Sequence, residues 1–146
     1  MREEVMMSAD GAAGLTRAEC LRLMSSAAVG RIVFTEQALP AVAPVGFTVD
    51  GEDVVIPVPR GSRLVAATRD AIVAFQTDDL GAAGRAGWTV TVVGRARVVR
   101  DPGDGARAAL RPWTAVTGAQ FILVSCQRVS GQRVGGVLAG DRETAA

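Results

Sequence analysis

The chain has 146 residues and a formal net charge of +1; nearly half of its residues are apolar, and aromatics make up only 4%. That length suits one domain with a single core, while the missing residue types set firmer limits: there is no His, Tyr, Lys or Asn, and all sixteen basic residues are Arg. The chain therefore has no Ser-His-Asp or Cys-His nucleophile, no His ligand for zinc or haem, no Schiff base and no phosphate-loop lysine, so any catalysis falls to a bound cofactor that the protein positions.

Residues 1–14, "MREEVMMSADGAAG", carry early acidic residues and no continuous apolar stretch, so they read as a disordered lead and not as a signal peptide. Leu15-Thr16-Arg17-Ala18-Glu19 opens a helix: Thr16 with Glu19 three positions on is a capping box, and Leu21, Leu23, Met24 and Ala27 form the apolar side. Val29-Gly30 ends that helix. "RIVFT" (Arg31–Thr35) is an alternating, β-branched strand, "EQALP" turns the chain, and "AVAPVGFTV" (Ala41–Val49) returns as one strand interrupted at Pro44. Asp50-Gly51 is a hairpin signal leading into "DVVIPV".

After Pro59-Arg60-Gly61-Ser62-Arg63, a short helix runs from Ser62 to Arg69, with its cap at Ser62 or Gly61. "AIVAFQT" (Ala71–Thr77) is a buried strand, followed by a Gly-rich loop ending at Gly87. "WTVTVVGRARVVR" (Trp88–Arg100) is the longest strand, with Gly94 marking a bend of the kind barrels need. "PGDGARAALRPW" holds a short helix, and "QFILVSC" and "RVSGQRVGGV" close the set as two strands. Strand-turn-strand connections dominate, which predicts an antiparallel barrel over 15–137 and a flexible tail over 138–146.

No run of about 18 apolar residues is present, so no helix is expected to cross a membrane. Cys20 and Cys126, in a chain read as cytoplasmic, are expected to stay reduced. The scattered arginines and few aromatics argue against a nucleic-acid partner. Asp78-Asp79 and Asp101/Asp104 sit among Gly and Pro and read as turns and helix caps, so no metal site is expected.

Three places remain for chemistry. At the 59–63 junction, Gly61 lets the backbone approach a ligand, Ser62 offers a hydroxyl, and Arg60 and Arg63 offer forked guanidinium groups; an anion site and an ordinary capped turn are both open readings. Trp88, entering a strand after Gly87, suits either a wall for a planar ligand or core packing, and Trp113 suits packing. Arg133 on a late strand suits a ligand contact, a contact to a partner chain, or solvent.

Taken in order, "LTRAECLRLM", "VGRIVF", "LPAVAPVGFTVDGEDVVI", "GSRLVAA", "VAFQTDD", "AGWTVTVVGRARVV", the lone Trp113 and "RVSGQRV" resemble the flavin-binding split-barrel proteins related to pyridoxamine 5′-phosphate oxidase, in their short actinobacterial form. The resemblance runs from about Leu15 to Val134. It implies a mainly β, six-stranded antiparallel split barrel with a few short helices, and a homodimer with FMN in grooves between the subunits. Ser62 and Arg63 fall where relatives hold the flavin phosphate, with Arg60 and Gly61 in the same turn. Pro44, Val45, Gly46 and Phe47 fall beside the flavin ring, and Trp88 and Thr89 near the same site from the partner subunit.

The implied function is an FMN-dependent oxidoreductase acting on a small substrate. A deazaflavin-dependent reductase and a flavin-binding barrel without turnover are the alternatives, and the missing His weighs against haem. At Pro57 and Val58 the sequence departs from relatives that carry phosphate-binding side chains there. Pyridoxamine 5′-phosphate oxidation itself is not expected, because the Lys, Tyr and His commonly used to clamp that substrate do not occur here.

Overall fold

The computed structural model describes residues 14–81, 86–114 and 120–135; residues 1–13 of the N-terminal lead, part of the Gly-rich loop before Gly87, and the tail expected over 138–146 lie outside the described residues. Twelve elements follow in order: α1 (Arg17–Met24), β1 (Val29–Glu36), β2 (Leu39–Gly46), β3 (Thr48–Asp50), β4 (Asp53–Val58), α2 (Arg63–Thr68), β5 (Ile72–Asp79), β6 (Gly87–Val99), α3 (Asp104–Ala109), α4 (Arg111–Thr114), β7 (Gln120–Ser125) and β8 (Arg128–Val134). Every strand pairing among them is antiparallel.

The strands hydrogen-bond in the order β2-β1-β5-β6-β7-β4-β3, and β8 also pairs β6. The two ends of that path, β2 and β3, are consecutive in the chain and separated only by Phe47, so the sheet curls into a split barrel. Six strands were expected from the resemblance, and eight are present among the described residues. The segment 41–49 is not one strand: it leaves β1 at Gly46 and joins β4 from Thr48. Phe47 is the hinge of that change, with its N–H donating to the Ala28 carbonyl at 3.1 Å and its ring edge-on to Phe75 at 4.7 Å.

Val29 and Gly30 also belong to β1 and not to the end of the helix. Gly30 lies under the Phe75 ring, and a Cβ there would overlap that ring. The Thr16 capping box is present: Thr16 N–H donates to Glu19 Oε1 at 2.8 Å and Glu19 N–H to Thr16 Oγ1 at 3.2 Å. Asp78 is a strand residue opposite Thr89, not a turn, and it accepts from Arg31 at 3.3 Å.

β6 serves two neighbours. Its first half lies between β5 and β8, and its second half pairs β7. Gly94 marks the change, as the sequence predicts. The alternation along β6 places Trp88, Val90, Val92 and Ala96 inward, where they join Ile32, Phe34, Phe47, Ile56, Phe75, Ile122 and Val124 in the main core. Cys20 and Met24 of α1 close the same core and are fully buried. Burying an aliphatic or aromatic side chain contributes about 1.5–3 kcal/mol, so this interior supplies the driving force for closure. The opposite face of β2-β1-β5-β6-β8 carries part-exposed side chains and the exposed Val29, Val42 and Ile72.

Candidate functional site

β4 ends at Val58 and the chain reverses through Pro59-Arg60-Gly61-Ser62. Ser62 N–H donates to the Pro59 carbonyl at 3.1 Å, and Gly61 has φ +78°, the left-handed value that the third position of a type II turn requires. Ser62 caps α2: its Oγ accepts from Leu64 N–H at 3.1 Å, which leaves the hydroxyl proton for another acceptor. Arg63 pairs with Glu36 at 3.1 Å while its side chain stays 83% exposed. Arg60 is exposed and has no ion pair or hydrogen bond among the described residues. The turn thus brings two guanidinium groups and a hydroxyl to one short stretch.

Beside it lies a groove of about 260 Å³ lined by Thr35, Glu36, Gln37, Arg63, Ala66 and Ala67. One rim is the β1–β2 hairpin, in which Glu36 faces Leu39 and the two loop residues, Gln37 and Ala38, have φ +52° and +66°. That is the backbone of a type I′ turn, which Asn-Gly fills readily and Gln-Ala does not. The sequence marks "EQALP" only as a turn; its strained tip and its clamp on Arg63 through Glu36 appear only in three dimensions.

The other expected ligand residues separate into two groups. Pro44 and Thr89 lie on the uncovered face of the sheet. On that face Pro44 is in register with Arg31, and Thr89 lies between Asp78 and Gln132. Gln76 donates to Thr91 at 3.1 Å across the same face. Pro44 and Thr89 are three strand spacings across and two residues along the sheet from each other, roughly 16 Å. Val45 is half-buried and Gly46 buried, while the Phe47 and Trp88 side chains lie in the core of the protomer at 3% and 8% exposure.

Arg133 is exposed and shares Trp88's face, next to α1. The Glu19 carboxyl is held below the usual carboxylate range, first by the Thr16 N–H and its side chain and then by the nearby charges of Arg133 and Arg22. Pro57 is half-buried opposite Phe121 and Val58 is buried in the core, so the end of β4 offers no side-chain donor to an anion.

The model of the family described as pyridoxamine 5′-phosphate oxidase matches residues 16–133. The chain belongs to that family. It is 35% identical over 127 residues to the uncharacterized protein Rv0080 of Mycobacterium tuberculosis, covering 82% of this chain and 84% of that one. Among solved structures, it is similar to the FAD binding protein from Mycobacterium smegmatis, at 31% identity, TM-score 0.66, 83% of this chain and 97% of that one. A FAD-binding protein from Mesorhizobium loti shares the fold at 24% identity and TM-score 0.70, with 83% and 96% coverage. The matched span of this pyridoxamine 5′-phosphate oxidase family member includes the 59–63 turn, Pro44 to Phe47, Trp88, Thr89 and Arg133.

Proposed function

We propose that the protein is a flavin-dependent oxidoreductase that binds FMN through the Arg60–Arg63 turn and acts on a small organic substrate as a homodimer. The observation that carries this reading is that turn. Within a member of this family, the segment where the resemblance expects the flavin phosphate carries Arg60, Arg63 and the uncommitted proton of the Ser62 hydroxyl. Charge-assisted hydrogen bonds to phosphate are the stronger kind, and forked guanidinium groups suit its oxygens. The donor set therefore fits a phosphate, and it does so without help from Pro57 and Val58.

A bound flavin supplies two-electron redox chemistry. The chain's own side chains bind and orient: Arg60, Ser62 and Arg63 at the phosphate, and Pro44 and the polar strip around Arg31, Gln76 and Thr89 on the uncovered sheet face. The exposed Val29 and Val42, with Leu39 at the hairpin, support pairing of two copies through the β1–β2 side of that face. Such pairing would bring a second set of Thr89-side residues to the first copy's Pro44.

FAD is a second reading. It rests on the 31% identical structure, which is that of a FAD binding protein. Purification followed by a visible spectrum, chromatography of the cofactor released on denaturation, and anaerobic reduction with NADPH tests the proposal. Released FMN with a bleachable flavin spectrum supports the first reading and released FAD the second. A protein that is colourless and stays so with either flavin added overturns both, and one that binds flavin but is never reduced leaves a carrier.

A further inference from the structure

Two grooves meet where β6 bends at Gly94. One, of about 340 Å³, is lined by Asp70, Arg95, Arg97, Ser125 and Gln127. The other, of about 320 Å³, is lined by Ile72, Val93, Gly94, Gln127 and Arg128. They share Gln127 and none of the residues of the Arg60–Arg63 turn. Volumes near 300 Å³ stand at the lower end of the ligand-pocket range, which suits a small molecule.

The arginines here are unequally compensated. Arg97 meets the Asp53 carboxylate at 3.1 and 3.4 Å. Arg95 instead donates Nη1 to the Asp70 carbonyl at 2.7 Å, which orders its guanidinium without adding a countercharge. Arg128 has no ion pair or hydrogen bond among the described residues. Gln127 Oε1 accepts from Arg95 N–H at 2.7 Å, which identifies the carbonyl end of that amide and leaves its NH2 as a donor. In the ladders, Ile72 is opposite Arg95 and Val93 opposite Arg128, so an aliphatic side chain lies beside each guanidinium stem on the same face. Ile72 is 56% exposed.

We propose that this junction binds a small organic oxyanion, a carboxylate or phosphate ester with an apolar body. The Arg128 and Arg95 guanidinium groups and the Gln127 amide take the charged head, and Ile72 with Val93 seats the body. Asp70 also lines the first groove, so its negative charge opposes an anion bound there. The backbone fixes it there: Asp70 N–H donates to the Ala96 carbonyl at 2.9 Å, and Asp70 has φ +59°, a left-handed value that Asn also tolerates. Removing its charge should therefore strengthen binding, read at the Gln127 and Arg128 signals.

The test is titration of the full chain with phenyl phosphate, benzoate and inorganic phosphate, followed by NMR at the Gln127 side-chain amide and the arginine Nε–H groups. Phenyl phosphate or benzoate should shift the Gln127 and Arg128 signals, with inorganic phosphate weaker than phenyl phosphate; the tighter of the two organic probes identifies the head group. Arg128→Gln should weaken that probe roughly tenfold, the loss of one charge-assisted contact. Asp70→Asn should tighten it several-fold, a gain that misfolding does not produce. Absence of shifts at Gln127, or equal affinity in the Arg128 and Asp70 variants, overturns the proposal.

Discussion

Gly94 lies so close to the Ser125 carbonyl that no side chain fits between them. This contact lets one strand serve two sheets: β6 leaves β8 after Val93 and takes up β7 from Ala96, with the Ser125–Gln127 turn packed into the bend. A methyl group at position 94 must push the two backbones apart and strain the bond from Arg95 N–H to Gln127. Gly94→Ala is expected to cost about 2 kcal/mol, within the range for overpacking. At roughly 4 °C per kcal/mol for a domain of this size, its melting temperature should fall by about 8 °C. A melting curve that overlays the parent's would refute the bend's dependence on glycine.

Ala38 makes the opposite prediction. It has φ +66° at the hairpin tip beside the Arg63 groove. An L-residue there costs about 1–2 kcal/mol, while replacing it with Gly loosens the unfolded chain by about 0.4–1 kcal/mol. Strain outweighs entropy, so Ala38→Gly should stabilise the fold by about 0.5–1 kcal/mol, read as a raised midpoint in urea at unchanged slope. A lowered midpoint would show that this turn is not strained as described.

The free thiol of Cys126 predicts an alkaline limit. Burial raises its pKa from 9.0 to about 11, against the opposing pull of Arg17. The folded state thus favours the neutral thiol. Stability from this group is full below the unfolded pKa and is lost as pH climbs from about 9 through about 11. Denaturation midpoints should decline across that window in the parent and more gently in Cys126→Ala, compared with its own value at pH 8. Glu19 and Asp101 act at the other end. Their carboxyls are lowered below 4.5 and 3.8, chiefly by the backbone N–H groups of Thr16 and Gly103, so their contribution is present above those values and fades as pH falls through the folded ones.

The proposed pairing of two copies through the β1–β2 side predicts that charge placed there separates them. Val42 is 60% exposed opposite Val33. Val42→Asp, which alters no core side chain, should move the protein from dimer to monomer in sedimentation experiments with its circular dichroism unchanged. A parent already monomeric at high concentration would remove the interface from the proposal.

Much of the fold was legible in residues whose role is local. The Thr16–Glu19 box, the Asp50-Gly51 hairpin, the alternation along β6 and the bend at Gly94 each carry their reason within a few positions. The division at Phe47 does not: it depends on Phe75 and Ala28, which are distant in sequence, so 41–49 read as one strand. The same limit applies to the site. Arg60, Gly61, Ser62 and Arg63 are contiguous, and their grouping follows from the turn. Trp88 could be read as a ligand wall or as core, and Phe47 only as lying beside the flavin ring; burial within the protomer places both side chains in the core. The Glu36 clamp on Arg63 and the junction around Gln127 join segments 27 and 32 positions apart, and no local pattern announces them.

The flavin proposal rests on the Arg60–Arg63 turn, and fluorescence titration with FMN and FAD tests it most directly. The parent should quench at least one flavin with saturation. Arg60→Ala combined with Arg63→Ala should weaken that flavin by about 100-fold or more, because each charge-assisted contact contributes about 1.5–3 kcal/mol. Equal affinity in the parent and the double variant would contradict the assignment of the phosphate to this turn.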